Sequence, residues 1–71
     1  MAKAGGGSGR RARSKNYLGT IAGLEYFTID NGNLYRARVG NPIDRSGYRQ
    51  GARWQAPAHM AKSWYDRIRR A

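Results

Sequence analysis

The chain has no cysteine, so neither a disulfide nor a thiolate-bound metal can staple it. A single histidine, His59, has no second imidazole to share a metal with. Only four acids occur, Glu25, Asp30, Asp44 and Asp66. They are scattered, so no two carboxylates are spaced for acid and base work, and no nucleophile has an evident base. These gaps argue against an enzyme and call for no metal or cofactor. No stretch approaches the ~20 apolar residues of a membrane span, and the basic N-terminus runs into glycine and serine rather than into the apolar core of a signal peptide. A soluble intracellular protein is expected, cytoplasmic or nucleoid-associated, with no membrane partner.

What is abundant is positive charge. Fourteen Lys and Arg against four Asp and Glu give a formal net charge of +10 on 71 residues, beyond the magnitude of about 2 to 8 that keeps a small domain in solution. Such an excess implies a polyanionic partner, nucleic acid first among them. Eleven of the fourteen are arginine, whose planar fork suits phosphate, carboxylate or guanine better than the point charge of lysine does.

Residues 1–16, MAKAGGGSGRRARSKN, carry five basic residues, four glycines and, after Met1, no large apolar side chain. They read as a disordered basic arm, with Arg10, Arg11, Arg13 and Lys15 as an electrostatic grip on phosphate. The glycine run lacks the lysine and the preceding strand of a phosphate-binding loop. Ser14, among arginines, also fits a phosphorylation site that would weaken anion binding. Residues 17–71 are expected to form one small α+β domain.

Within that domain, Asn31-Gly32 lies between two alternating segments, LEYFTID and LYRARV, and predicts a β-hairpin. NYLGTIAG reads as a weak edge strand, GNPIDRSG (40–47) as a loop, and YRQGARWQ (48–55) as a further strand. Pro57 begins a C-terminal amphipathic helix with Met60, Ala61, Trp64 and Ile68 on one face and Arg67, Arg69 and Arg70 in its last turn. The fold class is therefore a small antiparallel sheet of three or four strands packed on one C-terminal helix.

A three-residue hairpin loop, Asp30-Asn31-Gly32 with Gly32 left-handed, puts Phe27 opposite Tyr35, Tyr26 opposite Arg36 and Leu24 opposite Arg38. Phe27, Ile29, Ala37, Val39, Ala52 and Trp54 then share one face, expected to be buried under the helix with Trp64. Arg36, Arg38, Arg49 and Arg53 share the other, around Tyr26. Glu25 is out of place in this scheme, because it falls on the apolar side.

A basic, partly aromatic sheet face suits nucleic acid, since guanidinium groups neutralise phosphates and a sheet can lie in the major groove. DNA is favoured over RNA. The order of elements resembles in layout, though in no motif, that of small DNA-binding domains whose three-stranded sheet reads the major groove, including integrase arm-binding and plant AP2 domains. The alternative function is a basic regulator or inhibitor, of the phage type, that binds an acidic protein surface such as that of RNA polymerase or another nucleic-acid-processing enzyme.

Overall fold

Gly32, at φ +89, closes a loop of three residues in which its N–H donates to the Ile29 carbonyl (2.7 Å) and the Ile29 N–H donates to that of Asn33 (3.1 Å). Left-handed backbone there is open to glycine at no steric cost. The loop fixes the pairing Thr28–Leu34, Phe27–Tyr35, Tyr26–Arg36 and Leu24–Arg38, which is the expected register. A computed structural model describes residues 13–71, in which this hairpin is the centre of a four-stranded antiparallel sheet whose strands lie side by side in chain order. The strands are β1 (Tyr17–Ile21), β2 (Leu24–Thr28), β3 (Leu34–Arg38) and β4 (Arg53–Ala56). A 3₁₀ turn (Ala58–Met60) follows Pro57 and leads into helix α1 (Ala61–Arg70). The α+β architecture, with a four-stranded sheet and a C-terminal helix, is thus the one its residues predict.

The weak N-terminal strand is the edge strand β1. It turns into β2 through Ala22 (φ 52) and Gly23 (φ 79), the two left-handed residues of a tight hairpin. A bulge at Leu18 breaks its pairing.

The division of side chains into two faces holds, but the side taken by the helix is the reverse of the expectation. Helix α1 lies on the face of Tyr26, Leu34 and Ala56, which form a buried cluster with Ala61, flanked by Ile21, Leu24, Trp64, Tyr65 and Ile68. Leu24 and Leu34 share the parity of the arginines, and they supply the apolar area that holds a helix. The helical stripe is accordingly Ala61, Trp64, Tyr65 and Ile68 rather than one beginning at Met60, which is exposed. Tyr65 lies against Tyr26, ring centroids 5.6 Å apart, and over Gly19, where a Cβ would overlap its hydroxyl.

The opposite face carries Glu25, Phe27 and Ala37, all buried. Its cover is the 40–51 loop together with residues 13–16. Tyr48 stacks on Phe27 (5.7 Å, 16° between ring planes) and donates to Asp30 Oδ1 at 2.8 Å, a hydrogen bond that raises the phenol pKa. The Lys15 N–H donates to the Gly47 carbonyl, and Ser14 is buried. Residues 13–16, inside the segment expected to be a disordered arm, are therefore packed on the domain; residues 1–12 lie outside the described residues.

The third predicted strand is cut short. Gly47 (φ +95) and Gly51 (φ +74) turn the chain, an isolated bridge joins Ile43 to Arg49, and regular pairing resumes only at Arg53. Parity carried back from Trp54 to Arg49 therefore fails. Trp54, expected in the core, is 54% exposed, and Val39 is exposed as well.

Candidate nucleic-acid interface

The sheet sets three arginines on one face. Arg36 and Arg53 are direct cross-strand partners on β3 and β4, and Arg38 follows Arg36 by two residues, so it points the same way. Arg38 and Arg53 are exposed. Arg36 is half-buried and donates from Nη1 to the Tyr26 hydroxyl at 3.3 Å. Like charges placed directly opposite one another destabilise a sheet, and nothing among the described residues neutralises these three.

The reason is that each of the four acids is engaged elsewhere. Glu25 is held by Arg49. Asp30 accepts from Tyr48. Asp44 accepts from the Ser46 hydroxyl and from the N–H groups of Ser46 and Tyr48, which hold its carboxyl below the ordinary range and tie the loop to itself. Asp66 meets Arg69 at 3.5 Å on the helix surface. The basic excess therefore remains on the surface as uncompensated charge.

Two residues expected at this face lie elsewhere. Tyr26 is 2% exposed, so its ring is core and only its hydroxyl serves, as an acceptor for Arg36. Arg49 is 6% exposed on the opposite side of the sheet, where its Nε and Nη2 fork onto Glu25 Oε1 and Oε2 at 3.1 and 2.8 Å and its Nη1 donates to the carbonyls of Val39 and Asn41. Ser14 completes the group, donating from Oγ to Glu25 at 2.6 Å and accepting from the Arg49 N–H at 2.9 Å. Burial alone would raise the Glu25 pKa, but the hydrogen bonds from Arg49 and Ser14 and the charge of Arg49 outweigh it and hold the carboxyl below 4.5. In the sequence Glu25 stands misplaced on an apolar face because its partner comes from a loop 24 residues away.

Of the expected basic arm, Arg13 and Lys15 are exposed but held near aromatic rings, Arg13 at 4.5 Å from the centre of Tyr17 and Lys15 at 5.3 Å from that of Tyr48. Arg10 and Arg11 lie outside the described residues. Sequence reasoning does not assign the helix to this face: α1 covers part of it and carries Arg67 at 5.5 Å from the Trp64 ring and Arg69 at 5.9 Å from that of Tyr65. The signal for them is the run of basic residues on the polar side of the predicted helix.

Among the described residues no three His, Cys, Asp or Glu side chains stand close enough to hold a metal, and no helix is long and apolar enough to cross a membrane. The fold and its charge define a small antiparallel α+β domain with an uncompensated arginine face. No family model matches the chain, and no curated protein or solved structure is significantly similar to it.

Proposed function

We propose that the chain binds nucleic acid through its phosphate backbone, with Arg36, Arg38 and Arg53 as the central contacts, while Arg13 and Lys15, in the segment that covers the other face of the sheet, add to the attracting charge. Arg10 and Arg11 add to the same charge. The observation that carries this reading is the Arg36–Arg53 cross-strand pair with Arg38 on the same face and no carboxylate opposite. A phosphate between two such guanidinium groups replaces mutual repulsion with two charge-assisted hydrogen bonds and releases counterions.

The groove-reading mode that favours DNA has less support than the phosphate contacts. The helix lies over part of the arginine face and the 40–51 loop lies over the other, so neither side of the sheet is open across its width. Binding governed by backbone charge is tolerant of sequence and sensitive to salt.

An acidic protein surface, such as that of RNA polymerase, is the competing ligand for the same charge. Capture of partners from a lysate with and without nuclease separates the two. Nucleic-acid binding predicts that nuclease empties the captured material, whereas a protein partner that stays bound after nuclease contradicts it.

A further inference from the structure

We propose that Trp54, together with Tyr35 opposite it, is a stacking platform for unpaired bases, so that the nucleic acid held by this chain is single-stranded where it crosses the edge of β4. The inference rests on the nucleic-acid reading above and narrows it to one class of ligand.

Among the described residues, strand β4 pairs with β3 on one side and with no strand on the other. Trp54 and Tyr35 are direct cross-strand partners, on the face opposite Arg36 and Arg53. Trp54 is 54% exposed and Tyr35 is half-buried. Neither side chain makes a ring contact, a cation–π contact or a hydrogen bond with the described residues. This contrasts with Trp64, Tyr26 and Tyr65, which pack in the helix–sheet layer, and with Tyr48, which covers Phe27.

A single exposed apolar side chain carries no message. Here, however, an open indole, a phenol and a guanidinium occupy neighbouring backbone positions of one short edge strand and its partner. Because successive side chains in a strand alternate faces, Arg53 presents charge on one side of the edge and Trp54 presents a π-face on the other. A single strand passing over the edge meets both: its phosphates lie toward Arg53 and Arg36 while a base turns onto Trp54. A duplex cannot offer that base, since its faces are already stacked.

A second copy of the chain would be the other natural occupant of an open edge, but it brings another +10 to the same place. Nucleic acid is the occupant whose charge complements the site.

The test uses the full-length protein with an oligothymidylate of about 12 nucleotides, within the usual site size, and a duplex of the same length. Tryptophan fluorescence and affinity are followed at one fixed salt concentration. Expected results are quenching of the exposed indole by the single strand, an affinity loss of roughly tenfold in Trp54→Ala for the single strand only, and retention of most of that affinity in Trp54→Phe. Thermal midpoints of both variants should stay close to the parent, since the indole supports little of the core. Quenching that persists in Trp64→Phe, where Trp54 is the one remaining tryptophan, assigns the signal to the exposed indole and stands even if Trp54→Ala folds poorly. Absent quenching, or equal single-strand affinity in parent and Trp54→Ala, overturns the platform while leaving the arginine face intact. Sedimentation as a dimer whose formation depends on Trp54 also overturns it, in favour of a second copy. A parent that binds neither oligonucleotide overturns the nucleic-acid reading itself, and the platform with it.

Discussion

Glu25 and Arg49, 24 residues apart, meet through two side-by-side N–H···O bonds of 3.1 and 2.8 Å beneath the 40–51 loop, with Ser14 bridging the carboxylate and the Arg49 backbone. This pair ties the N-terminal segment, the second strand and the loop into one layer. Removing one partner leaves the other buried and uncompensated, which costs about 3–5 kcal/mol, whereas replacing both with apolar groups of similar volume costs far less. Glu25→Leu or Arg49→Met alone should therefore unfold much of so small a domain, and the double variant should recover most of the stability. Urea denaturation of the four proteins measures this, and additive effects of the two substitutions would contradict it.

Acid should act through the same carboxyl. Its folded pKa is depressed, so the stability it contributes is fully present above the unfolded value near 4.5 and is lost as pH falls through the lower folded value. The thermal midpoint should be flat above about pH 5 and drop below it, with a shallower drop in Glu25→Gln. A midpoint that rises on acidification would contradict the assignment.

Ser14→Ala removes a buried hydroxyl that both donates and accepts, leaving the Arg49 N–H without that partner. A destabilisation of about 1–3 kcal/mol is expected, checked by denaturation. An unperturbed variant would mean that the folded unit begins at Tyr17 after all.

Two positions in the first hairpin should respond in opposite directions. Ala22 is left-handed, a conformation that costs an L-residue about 1–2 kcal/mol and that asparagine tolerates better, so Ala22→Asn should stabilise by about 1 kcal/mol. Gly19→Ala drives a methyl into the Tyr65 hydroxyl and should destabilise by about 1–3 kcal/mol. Thermal melts of the two variants give both signs.

The local features of this fold were legible because local chemistry decides them. Asn31-Gly32 specifies a loop, the loop specifies the register, and the register sorts side chains into two faces. Which face the helix covers was not legible, since each face mixes apolar with charged residues: Leu24, Tyr26 and Leu34 stand beside the arginines, and Phe27 and Ala37 beside Glu25. The role of Arg49 depends on a partner that only the tertiary fold delivers, and two left-handed glycines end the strand that would have placed it with Arg53. The exposure of Trp54 follows from the same interruption, because the loop ends short of it.

The central claim is that Arg36, Arg38 and Arg53 form a phosphate-binding face. The direct measurement is the salt dependence of affinity for duplex and single-stranded oligonucleotides, comparing the parent with a variant in which all three are alanine. Arg38 and Arg53 are exposed and contribute little to stability, and loss of the half-buried Arg36 and its bond to Tyr26 is offset by relief of its repulsion with Arg53, so the variant should still fold. Its affinity should fall, and the slope of log affinity against log salt should become shallower by roughly 0.9 for each phosphate no longer neutralised on the duplex and roughly 0.7 on the single strand. An affinity and a slope equal to those of the parent on both ligands would contradict the account.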